Sequence, residues 1–264
     1  MLKCVSMALG AIAFLGLLAV VLVGWATWAE RRETTIMSQA LGEERRLTVY
    51  NTDEGNVEQV IIVLDGEKTR HGLSAAVQAR TLSWLAGSRS PIGIAVDGMG
   101  TRDTDLRNAI SNPATWRPRI AGRAADFDRF LAYELLPLAR KLAGTPAEIY
   151  LFGHSLGGLY SLDFAIRKAD ETNLAGYAAF SPTFSHDLSI MERLAKLCDT
   201  KARGLITIGL ESDREEKLFK HASTRFPNAE ACAGHAPRME RHPGAIHQIV
   251  MLPGQTRAIL LLVN

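Results

Sequence analysis

The chain has 264 residues, 47% of them hydrophobic and 22% charged, with a formal net charge of +2. That length buries a sizeable core in one domain, and the composition is that of a globular protein, which excludes a disordered or low-complexity chain. Basic residues are scattered rather than gathered into a patch, so the pattern of a nucleic-acid-binding protein is excluded too.

The N-terminus departs from this average. Between Val5 and Ala29 the only polar side chains are Ser6, Thr27 and the indoles of Trp25 and Trp28, with Lys3 before the run and Glu30-Arg31-Arg32 after it. A helix of about 20 apolar residues spans a bilayer, whereas the apolar part of a secretory signal is about 7–15 residues long. Tryptophans near one end suit a membrane interface. Residues 1–32 are therefore expected to form an N-terminal transmembrane helix that anchors the chain to a membrane, or else a signal cleaved at Gly24-Trp25-Ala26 or Thr27-Trp28-Ala29. Either way residues 33–264 form one exported domain on the periplasmic or extracellular side. Of the three cysteines, Cys4 sits at the membrane edge, and Cys198 and Cys232 both fall in the exported part. An even count in an oxidising compartment permits a bridge, and two separate thiols are the other reading.

Beyond residue 45, short apolar runs alternate with amphipathic segments. "LTVYN" (47–51) alternates and reads as an edge strand, and "QVIIVLDG" (59–66) is a continuous apolar run like a buried strand. "SAAVQARTLSWLAG" (74–87) has helical spacing and a glycine stop. "PIGIAVDG" (91–98) is a second buried strand, and the long segment 98–123 lacks periodicity. "AADFDRFLAYELLPLARKLAG" (124–144) is an amphipathic helix that Pro137 should kink or split. Strand "AEIYLFGHS" (147–155) and helix "LGGLYSLDFAIRKA" (156–169) follow. "AGYAAFSP" (175–182), "GLITIGLES" (204–212) and "PRMERHPG" (237–244) read as further strands, and a last helix starts near Pro253. Strands separated by helices give an α/β fold with a mostly parallel central sheet flanked by helices, in which functional groups gather beyond the carboxyl ends of the strands.

One of those ends carries Gly153-His154-Ser155-Leu156-Gly157. A G-x-S-x-G pattern has chemical meaning only on a strand, sharp turn and helix, and that context is present here. The turn places Ser155 at a helix N-terminus, whose N–H groups favour developing negative charge. Serine needs a base to become a nucleophile, and the base needs an orienting acid, in the chain order Ser, acid, His. His247 follows the expected last strand in "HPGAIH" and is the best-placed base, with His242 inside the strand as runner-up. His221 and His235 read as solvated surface, and the side chain of His154 is expected to point elsewhere on a tight turn. For the acid, "LITIGLESD" offers Asp213, the favoured residue, and Glu211, with Asp187 weaker. An oxyanion hole needs two donors. The N–H of Leu156 supplies one, and "LDGEK" (64–68) the other through Gly66, Glu67 or Lys68.

These residues resemble the putative esterase family of α/β-hydrolases, which includes esterase D, the trilactone siderophore esterases and the antigen 85 mycolyltransferases. The matching pieces are an early strand ending "LDG", then "GRAADFDRFLAYELLPLA" (122–139), "GHSLGG" (153–158), "AFSPTF" (179–184) and "PGAIH" (243–247). The resemblance implies the α/β-hydrolase fold, Ser155 as nucleophile and His247 as base. The family often has an acid three residues after the glycine that ends the late strand; here that position is Ser212, flanked by Glu211 and Asp213. Some of its siderophore esterases work with a Ser-His pair and no proper acid.

The expected function is hydrolysis of a small carboxylic ester through an acyl-enzyme, a siderophore-type ester being one candidate, with no metal or organic cofactor. An acyltransferase with the same residues, and a non-catalytic binding protein of the same fold, are the alternatives. Arg102, Arg107, Arg117, Arg119 and Arg123 against Asp103 and Asp105 could form a basic rim for an anionic substrate, the other reading being a solvated loop.

Overall fold

The computed structural model describes residues 31–52, 56–64, 69–97, 105–106, 122–144, 146–226, 232 and 236–262. The expected membrane segment, apart from its last two residues, lies outside them. Among the described residues no helix is long and apolar enough to cross a membrane.

The elements run β1 (Arg32–Ser38), β2 (Glu43–Tyr50), β3 (Gln59–Val63), α1 (Thr69–Ala86), β4 (Ile92–Val96), α2 (Ala124–Phe130), a π-helical segment Leu131–Leu135, α3 (Leu136–Ala143), β5 (Glu148–His154), α4 (Leu156–Thr172), β6 (Gly176–Phe180), β7 (Arg203–Leu210), α5 (Asp213–Ser223), β8 (Arg238–Ile246) and α6 (Met251–Leu262). They build one sheet in the order β1-β2-β4-β3-β5-β6-β7-β8. β2 is antiparallel to both neighbours, and every pairing from β4 to β8 is parallel.

The continuous apolar runs are explained by this arrangement. Side chains alternate along a strand, so a strand covered on both faces needs apolar residues throughout. Val60 and Ile62 of β3 join the core shared with Phe130, Leu135 and Phe164, on the face covered by α2, α3 and α4. Ile61 and Val63 join the opposite core, with Ala75 and Ala79 of α1 and Ala258 and Ile259 of α6. Burying each large apolar side chain contributes about 1.5–3 kcal/mol.

Two elements differ from the sequence reading. "LTVY" (47–50) is part of β2, one place in from the edge, because β1 pairs outside it from Arg32↔Val49 to Ser38↔Glu43, and Asn51 lies just past its end. Pro137 interrupts the predicted long helix as expected. It lacks an N–H for the turn before it and its ring crowds that turn, and the strain is taken up in the π-helical segment immediately upstream.

Of the charges considered for a basic rim, Arg123 and Asp105 are engaged in ion pairs within the fold. The Arg123 Nε donates to Asp105 at 2.6 Å, Arg123 also pairs with Glu43, and Asp105 pairs with the buried Arg45 of β2. These pairs tie Asp105 and Arg123 to β2, while Asp103, Arg102, Arg107, Arg117 and Arg119 lie outside the described residues.

Cys198 and Cys232 form a disulfide that closes a separation of 34 residues between the β6–β7 and β7–β8 connections. Constraining the unfolded chain across such a loop is worth about 2–4 kcal/mol. Cys198→Ser should lower the urea midpoint accordingly. An unchanged midpoint, with two reactive thiols besides Cys4 in the unfolded, unreduced protein, would show the bridge absent in solution.

Candidate active site

Ser155 sits between the end of β5 and the start of α4 with φ 57° and ψ −116°. This is a left-handed conformation that a non-glycine residue holds at a cost of about 1–3 kcal/mol. Neighbouring glycines make the turn feasible. A Cβ on Gly153 would lie 2.1 Å from the Gly157 carbonyl oxygen, so no side chain fits there. The Ser155 N–H donates to the Phe180 carbonyl at 2.9 Å, pinning the turn to the end of β6.

The residues after β6 complete the setting. Ser181 is also left-handed, with φ 43°. The Thr183 N–H donates to the Ser155 carbonyl at 3.2 Å, and the Thr183 and Ser155 hydroxyls are 3.1 Å apart. Thr183 thus holds both backbone and side chain of Ser155, a contact that sequence reading missed although "AFSPTF" was singled out. A partly buried charge network fixes this connection to α4. Arg167 bridges Asp128 and Asp163, Arg193 ties Asp163 to Asp187, and the Tyr160 hydroxyl donates to Asp128 at 2.7 Å. Burial pushes the Tyr160 phenol well above its usual pKa, so it stays a donor. Asp187 is spent in this network, bonding Ser189 and Arg193.

His247 directly follows β8. The β7–β8 ladder is regular to Ile208↔Arg241, then jumps to Leu210↔Ile246. His242-Pro243-Gly244-Ala245 are accommodated by this irregularity, and Pro243 fits because β8 is an edge strand. The bulge comes close to β7: a Cβ on Gly209 would lie 2.2 Å from the Ala245 carbonyl oxygen. Its effect is to set His247 beside the residue after Leu210. Glu211 Oε1 and Oε2 lie 2.9 and 2.8 Å from His247 Nδ1. The Glu211 side chain is 6% exposed and that of His247 28%, so the pair is buried at the acid and open at the ring.

Asp213, the acid favoured from sequence, is elsewhere. It is the first residue of α5, behind Ser212, whose hydroxyl accepts the Glu215 N–H. Its place is the first helical turn, where a carboxylate complements the helix dipole. The structure brings Glu211, not Asp213, to His247.

His154 also departs from expectation. Its side chain is 7% exposed, and its Nε2 lies 2.6 Å from the His247 carbonyl oxygen. Its ring packs 4.8 Å from that of His247 and 5.5 Å from that of His71 in α1. His242 stays in β8 and His221 is exposed on α5, while His235 lies outside the described residues.

Leu156 opens α4, so its N–H has no intrahelical acceptor and faces the Ser155 side chain's end of the helix. Gly66, Glu67 and Lys68 lie outside the described residues. Among the described residues no group of histidine, cysteine, aspartate and glutamate is arranged to hold a metal ion.

A family model described as "Putative esterase" matches residues 38–225. Among solved structures, the siderophore hydrolase EstA from Aspergillus nidulans is 18% identical, with a TM-score of 0.67 over 88% of this chain and 94% of that one. The IroE-like serine hydrolase from Shewanella oneidensis is 18% identical, with a TM-score of 0.71 over 89% of this chain and 80% of that one. The enterobactin esterase FES from Shigella flexneri is 18% identical, with a TM-score of 0.67 over 90% of this chain and 61% of that one. These share its α/β-hydrolase fold. A search of curated proteins found no match.

Proposed function

Because the chain belongs to the family described as "Putative esterase", we propose that it is a serine hydrolase that cleaves carboxylic esters through an acyl-enzyme. The observation that carries this reading is a strained Ser155 at the carboxyl end of β5 and a His247–Glu211 pair at the carboxyl ends of β8 and β7, on the same side of the sheet and linked through the contact of His154 with the His247 carbonyl. Ser155 Oγ attacks the ester carbonyl carbon and its proton passes to His247 Nε2. Glu211, holding Nδ1–H, keeps the Nε2 lone pair available and stabilises the imidazolium that forms. The Leu156 N–H, with a second donor from residues 64–68, holds the oxyanion. Collapse of the tetrahedral intermediate expels the alcohol, which takes the proton from His247, and water cleaves the acyl-enzyme by the reverse proton path. No metal or organic cofactor enters any of these steps. The substrate class is a siderophore-type ester, a reading supported by the likeness to proteins described as siderophore and enterobactin hydrolases. Fluorophosphonate labelling at Ser155, together with turnover of a p-nitrophenyl ester, would support the reading; a folded protein showing neither would overturn it.

The same reading places the domain outside the cytoplasm, held to a membrane by the apolar segment 5–29. The Cys198–Cys232 disulfide supports an oxidising compartment. The chain should remain with membranes after alkaline carbonate extraction, and external protease should digest residues 33–264 on intact spheroplasts. Release by carbonate, or protection from protease, would reverse the assignment.

A further inference from the structure

We propose that His154 is a positioning residue that sets the distance between nucleophile and base by holding the backbone of His247; this rests on the roles given above to Ser155 and His247. A buried histidine satisfied by a nearby carbonyl is common in protein cores. Here the acceptor is 93 residues away in sequence and belongs to the residue whose ring must take the proton. His154 is the last residue of β5 and adjoins Ser155. One side chain therefore links the nucleophile's turn to the base's main chain.

The donor is unambiguous. A carbonyl oxygen only accepts, so His154 Nε2 carries the hydrogen and donates it to the His247 carbonyl at 2.6 Å. The His154 ring packs against two others, tilted against His247 at 4.8 Å and T-shaped against His71 at 5.5 Å. His71 is itself anchored. The fully buried Gln255 of α6 donates from Nε2 to the His71 carbonyl at 3.1 Å and accepts from the Ser74 hydroxyl at 2.6 Å. The first turns of α1 and α6 thus hold His71, His71 packs against His154, and His154 holds His247 from behind while Glu211 holds its Nδ1.

The need for such a support follows from where His247 sits. It comes directly after an irregular ladder on an edge strand, the least constrained part of the sheet. Proton transfer needs heavy atoms within about 2.6–3.2 Å, and a displacement of about 1 Å costs about 10²-fold in rate. Glu211 fixes which way the ring is turned. His154 fixes where the ring is.

The test uses the full chain with three substitutions. His154→Phe keeps the packed ring and removes the donor. His154→Gln places an amide N–H at similar reach. His154→Asn keeps the amide but is too short. Kinetics on a p-nitrophenyl ester should show kcat down about 10²-fold for His154→Phe and His154→Asn with KM within about twofold, and His154→Gln within about tenfold of the wild type. A second readout is independent of turnover: the downfield proton resonance of His247 Nδ1–H bonded to Glu211 should survive in the Gln variant and exchange away in the Phe and Asn variants. Should His154→Phe fail to fold, the Asn and Gln pair decides alone. Wild-type kcat and resonance in His154→Asn, or equal losses in the Gln and Asn variants, would overturn the proposal. A wild type that turns over no ester would overturn the hydrolase reading, while the resonance comparison would still decide the role of His154.

Discussion

Ser155→Ala should abolish ester hydrolysis and fluorophosphonate labelling while leaving the protein folded. Loss of the nucleophile from a working triad lowers kcat by about 10⁴–10⁶-fold, what remains coming from the oxyanion hole and binding. Stability should separate from activity. Ser155 holds φ 57°, and alanine would carry the same backbone strain, so Ser155→Ala should melt close to the wild type. Ser155→Gly relieves about 1–3 kcal/mol of strain at a cost of about 0.4–1 kcal/mol of unfolded-chain entropy, so it should be more stable by about 1 kcal/mol and equally inactive. Both are read by chemical denaturation beside initial rates. An alanine variant that keeps more than a tenth of wild-type kcat would remove Ser155 as nucleophile, and a destabilised glycine variant would show that the left-handed turn is not strained.

Most of the sheet was legible because the parallel strands are covered on both faces. "QVIIV" and "IYLF" leave no polar face to solvent, which only a doubly covered strand or a buried helix allows, and their length decides between those two. β1 was missed for the opposite reason. "RETTIMS" is an outermost strand whose inward places hold Thr34, Ile36 and Ser38 while Met37 faces solvent, so its residue types do not follow its burial, and the apolar run just before it drew the boundary to Arg32. Its stability comes from main-chain pairing with β2, which single-sequence periodicity does not register.

The places of Ser155 and His247 in the fold were legible because each sits beside a signal that backbone geometry imposes. Gly153 is required by a contact that leaves no room for a Cβ, and Pro243-Gly244 marks the bulge that carries the chain to His247. His154 was not legible, because the direction of its side chain depends on how a turn meets the end of a strand 93 residues away. That Asp213 lies on α5, away from His247, also had a readable signal. Ser212-Asp213-Arg214-Glu215 has the S-x-x-E spacing of a capping box, which starts the helix at Asp213 and turns its carboxylate to the helix end. Glu211, the last residue before that cap, is then the acid left to face β8.

Glu211→Gln and Asp213→Asn should therefore have very different effects. The Glu211 carboxylate accepts at 2.8–2.9 Å from both oxygens, so His247 Nδ1 must carry the hydrogen and Nε2 is left bare to receive the proton of Ser155. Glutamine keeps the shape of this nearly buried side chain but presents an N–H as readily as an oxygen. That favours the tautomer with hydrogen on Nε2, which cannot act as base, and it leaves the imidazolium without a counter-charge. The expected loss in kcat is about 10²–10⁴-fold with KM little changed. Asp213→Asn removes a first-turn carboxylate worth about 0.3–1 kcal/mol to α5 and should leave kcat within about threefold. Steady-state rates on a p-nitrophenyl ester beside urea midpoints separate the two effects. A larger catalytic loss in Asp213→Asn would move the acid to α5 and require α5 to unwind at its start when substrate binds. Near-wild-type rates in both variants would mean that His247 acts without an acid partner, its orientation held through its backbone alone.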